Sequence, residues 1–233
     1  MGTAKVLEAS KKASVKKFVY SASSSCYGMA KTPTTEKDAI NPLYPYAMSK
    51  YLGEKICFHW NKLYKLPVNS IRIFNAYGPR VKTTGVYGAV FGVFFKQKLE
   101  KKPFTIVGNG NQKRDFIFVT DVVDAFFKAS QTKVSGEVFN LGTGKPSSIN
   151  SLVKILGGEK IYLPKRPGEP NITCANPKKI KKILKWKPKV KFENGVKIML
   201  KDIKKWKTAP LWTVNSIEKA TKSWFSYMKN INR

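Results

Sequence analysis

Two short apolar runs bracketing one long helical segment limit most strongly what this chain can fold into. Lys17 to Ala22 and Val68 to Phe74 read as strands. A segment from about Pro45 to Tyr64 reads as a helix opened by proline, after a mostly polar loop, Gly28 to Tyr44, that Pro33 and Pro42 break. This β-loop-α-β alternation predicts a parallel sheet of the doubly wound type. Before it, Thr3 to Ala13 reads as an amphipathic helix. After it come a helix over Tyr87 to Glu100, strands over Phe104 to Val107 and Phe116 to Val119, and a helix over Asp121 to Ser130. A strand over Glu137 to Leu141, a capped helix from Ser147, a strand over Ile161 to Leu163 and a lysine-rich, mainly helical remainder follow. There is no internal repeat. A chain of 233 residues can bury a sizeable core as one large domain or two small ones.

The first strand ends in a hydroxyl cluster, Ser21-Ala22-Ser23-Ser24-Ser25, and the helix after it opens Pro45-Tyr46-Ala47-Met48-Ser49-Lys50. Tyr46 and Lys50 are four apart and share a helical face. There the ammonium favours the phenolate, and a serine at the strand end can share the proton. The Tyr-x-x-x-Lys spacing is weak alone: roughly two matches are expected by chance at this composition. Three occur, at Tyr27/Lys31, Tyr46/Lys50 and Tyr51/Lys55. Only Tyr46/Lys50 stands at a helix start after a serine-ended strand.

Composition removes several alternatives. Cys26, Cys57 and Cys174 are scattered without metal spacing, which predicts reduced thiols in a cytoplasmic protein. With His59 as the sole histidine, neither a histidine metal site nor a Ser-His-Asp triad is expected, and no metal is assigned. The longest apolar run, around Gly85 to Phe95, is too short to span a membrane, and the first residues lack a signal-peptide core. A net charge of +30 and a pI near 10.1 invite a nucleic-acid reading. Lysine carries nearly all of that charge and is spread along helix faces and loops, which predicts a solvated surface without specific nucleic-acid binding. Arginine, suited to bidentate phosphate contacts, occurs only five times, at 72, 80, 114, 166 and 233. Trp186, Trp206, Trp212 and Trp224 in the lysine-rich segment are expected inside, with lysine outside.

Further blocks follow in order: Ser70-Ile71-Arg72-Ile73-Phe74-Asn75-Ala76-Tyr77-Gly78-Pro79-Arg80, Gly108 to Ala125 with Arg114-Asp115-Phe116 at its centre, Phe139-Asn140-Leu141-Gly142-Thr143-Gly144, and Arg166-Pro167-Gly168-Glu169-Pro170. With the Ser-Tyr-Lys constellation, their order and spacing resemble the extended short-chain dehydrogenase/reductases, specifically the NAD-dependent nucleotide-sugar epimerases and dehydratases. The resemblance covers nearly the whole chain. It implies an α/β fold: a partial doubly wound, Rossmann-type parallel sheet plus a smaller α/β substrate-binding domain. Residues 1–80 would be the C-terminal part of the dinucleotide-binding domain, with 115–132 returning to it, and 81–233 mainly the substrate domain.

The resemblance also implies roles. Ser23, Tyr46 and Lys50 would be catalytic. Ser21, Ala22, Tyr46, Lys50 and Phe74 would contact NAD. Ser24, Asn75, Thr105, Val107, Arg114, Arg166, Glu169 and Thr173 would contact a nucleotide sugar. Arg114 and Arg166 match diphosphate arginines, Glu169 a ribose carboxylate, and the backbone near Thr105 and Val107 the base. Phe74 reads equally as a core residue, Glu169 as an exposed loop acid and Asn75 as a turn cap. Ser24 and Ser25 stand where a dehydratase of this kind carries Asp-Glu, so C4 epimerisation of a UDP-hexose through a 4-keto sugar is expected, with a dehydratase or decarboxylase as the alternative. Thr173, in a pocket position, would admit 2-acetamido sugars. A homodimer through the Tyr46 helix and a part in polysaccharide supply are implied by the family alone. The glycine-rich dinucleotide loop that the family carries on its first β-α turn has no match here; Gly85-Val86-Tyr87-Gly88-Ala89-Val90-Phe91-Gly92 is a near miss with wrong spacing. The sequence therefore leaves open an upstream segment, inactivity of the chain as it stands, a non-catalytic remnant, or a basic nucleic-acid-binding protein.

Overall fold

The computed structural model describes residues 2–81, 90–165, 169–219, 222 and 226. Its first elements are α1 (Gly2–Lys12), β1 (Phe18–Ser23), a single 3-10 turn (Ser24–Tyr27), α2 (Pro45–Tyr64), β2 (Val68–Ile73) and β3 (Asn75–Tyr77). Next come α3 (Val90–Leu99), β4 (Phe104–Val107), β5 (Lys113–Arg114), β6 (Phe116–Phe118), α4 (Val119–Gln131) and β7 (Glu137–Leu141). The last are β8 (Ser147–Ser148), α5 (Ile149–Leu156), β9 (Lys160–Leu163), α6 (Lys178–Leu184), α7 (Phe192–Lys201) and a second 3-10 turn (Ile203–Trp206). The predicted bounds of α2, β4 and β7 coincide with those found. The helix predicted over Tyr87 to Glu100 is found from Val90; residues 87–89 lie outside the described residues. Ser148, not Ser147, caps α5, accepting from the Ser151 amide, because Ser147 and Ser148 pair with Arg114 and Lys113 of β5.

The chain divides into two compact units. The first comprises Met1–Ala76, Asp115–Pro146 and Thr173–Lys189; the second comprises Tyr77–Arg114, Ser147–Ile172 and Val190–Arg233.

In the first unit β1, β2 and β7 form a parallel sheet in the order β1-β2-β7, with Ser23 opposite Ile73 and Ile73 opposite Leu141. Successive side chains of a strand point to opposite faces, and β2 shows what each face meets. Ile71 and Ile73 pack with Phe139, Leu141, Ala125 and Ala129 of α4, Ile180 and Leu184 of α6, and Trp186. On the other face Val68 packs with Leu7 of α1 and Cys57 of α2, while Ser70 and Arg72 reach Glu54 of α2. Burying each large apolar side chain contributes about 1.5–3 kcal/mol, so helices on both faces hold the sheet. The end of β1 is held beside the first turns of α2, where Lys50 bonds Ser21.

The second unit contains the parallel pair β4–β9, the antiparallel pair β5–β8 and an aromatic cluster. Tyr77 stacks on Phe91 at 4.7 Å, and Phe95 meets Trp206 edge-on at 5.3 Å. Gly92, the last glycine of the near-miss loop, lies in α3 against the Trp206 ring, so it serves close packing. Trp186 and Trp206 are inside, as expected of them; Trp212 is half-buried, and Trp224 lies outside the described residues. No helix among the described residues is long and apolar enough to cross a membrane.

Candidate active site

Ser23 ends β1 in extended backbone (φ −142°, ψ 141°) and caps the turn Ser24–Tyr27. Its Oγ accepts from the Ser25 amide at 3.2 Å and from the Ser25 hydroxyl at 2.9 Å. The turn closes at Gly28, φ 59°, where a Cβ would run into the Asn41 carbonyl oxygen; only glycine fits. Pro45 occupies the first turn of α2, suiting a position whose missing N–H costs nothing, and Tyr46 and Lys50 follow on one face. Lys50 Nζ donates to the Ser21 carbonyl oxygen at 2.9 Å. Helix α2 is thus pinned to β1 two residues before Ser23. Tyr46, one turn earlier, is half exposed, and beside it the Tyr20 phenol donates to the Lys50 carbonyl at 3.2 Å. Burial, with smaller contributions from Cys57, Glu54 and Tyr46, raises the Tyr20 phenol above its ordinary value against a hydrogen bond with Thr3, which keeps it a neutral donor.

Behind this group lies a buried polar network that sequence reasoning missed. Glu54, one turn after Lys50, accepts from Arg72 Nε at 3.0 Å and Nη2 at 2.5 Å, and from the Ser70 hydroxyl at 2.7 Å. Arg72 Nη1 donates to the Tyr27 hydroxyl at 2.7 Å, which donates to Asn140 Oδ1 at 2.7 Å. Asn140 Nδ2 reaches the Thr34 carbonyl oxygen, and the Asn140 amide reaches Glu36, closing the loop after the turn onto the sheet. Two signals could have pointed here: an acid on the apolar stripe of α2 (Ala47, Gly53, Cys57) and an arginine inside an otherwise buried strand.

The same burial gives a pH dependence. It pushes Tyr27 from 10.0 up to about 12, against the opposing Arg72 charge, Cys26 from 9.0 up to about 11, and Cys57 from 9.0 up to about 12. The folded chain holds these protons more tightly than the unfolded one. Their stabilisation is therefore complete below the unfolded values and is lost as pH rises through the folded ones. Urea midpoints measured across the alkaline range should fall steadily from about 9 to about 12. A flat midpoint there would contradict the burial of these groups.

Asn75 and Thr173, assigned separately from the sequence, meet: Thr173 Oγ1 donates to Asn75 Oδ1 at 3.0 Å and accepts from the Asp115 amide at 3.4 Å. Phe74 is buried, and its amide donates to the Leu141 carbonyl oxygen at 3.0 Å, at the end of the sheet. Asp115, also missed from sequence, is fully buried. Its carboxylate accepts from the Thr143 amide (2.8 Å) and hydroxyl (2.5 Å), the Gly144 amide (2.9 Å) and the Ala175 amide (2.9 Å). A Cβ at Gly142 would collide with this carboxylate and with Ala175, which explains the Gly-Thr-Gly block as a seat for Asp115.

In the second unit Arg114 and Glu169 pair, with Arg114 Nη2 donating to Glu169 Oε1 at 2.5 Å. Arg114 Nη1 donates to the carbonyl oxygens of Lys113 and Pro170, each at 2.9 Å. Two residues assigned independently to a ligand are thus each other's counter-ion. The Thr105 amide donates to Gln97 Oε1, and the Val107 carbonyl accepts from Gln112 Nε2, so side chains hold these backbone groups. Arg166 lies outside the described residues. Ser21 is exposed, Ala22 buried and Ser24 half-buried at the end of β1.

Residues 1–199 match the family model described as GDP-mannose 4,6 dehydratase. A UDP-glucose 4-epimerase of Mycolicibacterium smegmatis is 34% identical over 204 residues, covering 84% of this chain and 65% of that protein. Among solved structures, UDP-glucuronic acid 4-epimerase from Bacillus cereus, in complex with UDP-glucuronic acid and NAD, is 33% identical with a TM-score of 0.80. The match covers 87% of this chain and 66% of the other. UDP-glucose 4-epimerase from Thermotoga maritima, with UDP-glucose, is 33% identical with a TM-score of 0.82, over 88% of this chain and 68% of the other. The chain spans between 56% and 66% of the length of the curated relatives it matches.

Proposed function

From the premise that the chain belongs to the extended short-chain dehydrogenase/reductases, in the family of NAD-dependent nucleotide-sugar epimerases and dehydratases, we propose that it serves the C4 epimerisation of a UDP-hexose. The observation that supports this reading is the seating of α2 on β1: Lys50, one helical turn after Tyr46, donates to the Ser21 carbonyl oxygen two residues before Ser23, at the carboxyl end of a parallel sheet. Lys50 uses one of its three N–H donors on Ser21, and what remains fits the ribose of a nicotinamide nucleotide. Ser21, Ala22, Tyr46, Lys50 and Phe74 would hold that end of NAD. When bound, NAD supplies the hydride acceptor and donor at the sugar carbon.

The chain's own residues then handle the proton. Tyr46 takes the proton of the C4 hydroxyl as phenolate and returns it after the keto sugar has turned. Lys50 favours the phenolate, and Ser23 shares the proton through its hydroxyl. Elimination would require a carboxyl acid and base next to Ser23. Ser24 and Ser25 supply neither, and the Ser25 hydroxyl is already spent on Ser23. Asn75 and Thr173 would orient the sugar, with Thr173 small enough to leave room for a 2-acetamido group. Arg114, Arg166 and Glu169 would hold the diphosphate and ribose, and the backbone around Thr105 and Val107 the base. Three unpaired, buried cysteines support a reducing compartment such as the cytoplasm.

The test is product analysis on UDP-glucose, UDP-galactose, UDP-glucuronate and their 2-acetamido forms, each with added NAD. Interconversion of one C4 pair is expected; a 4-keto-6-deoxy product would overturn epimerisation. The same reading includes a homodimer through α2, whose exposed Met48, Leu52 and Leu63 leave an apolar face. Sedimentation should give a dimer, and Leu52→Lys a monomer; a wild-type monomer at micromolar concentration would remove this part.

A further inference from the structure

We propose that Arg72 is a positioning residue: its buried guanidinium fixes the Ser23 turn and the Tyr46–Lys50 helix relative to each other. The inference rests on the assignment of Ser23, Tyr46 and Lys50 as the reacting group. The turn that Ser23 caps ends at Tyr27, and the Tyr27 hydroxyl accepts from one edge of the guanidinium at 2.7 Å. The other edge, Nε and Nη2, grips both oxygens of Glu54, one helical turn from Lys50 and two from Tyr46. A single planar group in β2 therefore ties the strand-end turn to the helix. All three partners are buried, with Tyr27, Glu54 and Arg72 exposed by 3%, 2% and 5%.

The geometry requires arginine. A lysine at position 72 would carry the charge for Glu54 but lacks the rigid fork that serves two partners at once. The other polar pins between β1 and α2 are the bonds from Lys50 Nζ to the Ser21 carbonyl and from the Tyr20 hydroxyl to the Lys50 carbonyl. Both meet α2 at Lys50, so with them alone these polar ties hold the helix near Tyr46 at a single residue. Misplacing a reacting group by about 1 Å costs on the order of 100-fold in rate, so such a tie has a kinetic consequence well beyond the energy of the bonds.

The experiment compares the full chain with Arg72→Lys and with Tyr27→Phe, which keeps the ion pair and removes one hydroxyl, by hydrogen exchange and by C4 epimerisation with NAD. In Arg72→Lys the amides of residues 24–28 and 48–52 should exchange together, about tenfold faster, while those of α4 stay unchanged. Tyr27→Phe should loosen 24–28 alone. In both variants kcat should fall about 100-fold with KM within about threefold. Retained kcat with a loosened turn would overturn the proposal, as would exchange rising equally through α4 and β7, which marks a purely structural role. Absence of turnover in the wild type would defeat the functional reading instead. The exchange result then decides alone: if 24–28 and 48–52 do not respond together in Arg72→Lys, Arg72 does not couple them.

Discussion

Tyr46→Phe should lower kcat for C4 epimerisation by about 1,000-fold while leaving the fold intact. The size follows from the role: a positioned acid-base group contributes about 100- to 10,000-fold, and 1,000-fold corresponds to about 4 kcal/mol of barrier. Little stability is at stake, because Tyr46 is half exposed on the first turn of α2 and loses only a hydroxyl; such surface changes stay within about 0.5 kcal/mol. The helix remains held by Lys50 on Ser21 and by Glu54 on Arg72. KM for the UDP-sugar should change little, since the phenol acts on the proton in flight and contributes little to nucleotide binding. Steady-state kinetics with unchanged near-ultraviolet circular dichroism would check both halves. Turnover within tenfold of wild type would mean that another group moves the proton, and the Ser-Tyr-Lys assignment would fall.

What the sequence made legible and what it hid divide along a physical line. Helix α2 is legible because Pro45 marks its start and its pattern is local. The strands β4 and β7 were readable as short apolar runs between turn signals. Tyr46 and Lys50 were found because a four-residue spacing on a helix is itself a contact rule. Contacts set by tertiary packing were not readable. Arg72 sits in a strand buried on both faces, where alternation gives no hint of an ion pair, and its partners lie 18 and 45 residues away. Asp115 is followed by Phe116-Ile117-Phe118 and reads as the edge of a strand, yet it collects amides from positions 28, 29 and 60 residues on. Arg114 and Glu169 were each assigned to a ligand by motif, and no spacing rule could show that the two pair with each other.

Breaking the Glu54–Arg72 pair from one side should destabilise the first unit by about 3–5 kcal/mol, and replacing both partners should restore much of it. Glu54 and Arg72 are nearly inaccessible, with side chains 3% and 6% exposed, and their oxygens and nitrogens are bound to each other, to Ser70 and to Tyr27. Arg72→Met leaves a carboxylate in a place where water cannot reach it and removes the donor to Tyr27. Glu54→Met leaves a guanidinium there instead. In Glu54→Met/Arg72→Met no net charge is buried, and two flexible apolar side chains occupy the space, so the loss should be far smaller than the sum of the single variants. For a chain of this size the single variants should melt about 6–20 °C below wild type. Urea denaturation of the four proteins closes the cycle, and additive losses would show that the two charges do not stabilise each other. The same cycle separates the two things the network does. Stability can return in the double variant because apolar filling replaces a paired charge, whereas a tie between the Ser23 turn and the Tyr46 helix cannot return, since methionine has no directional bond to offer either side. A double variant that is stable but slow would therefore mean that burial holds this part of the fold together and that the guanidinium sets where its reacting groups stand.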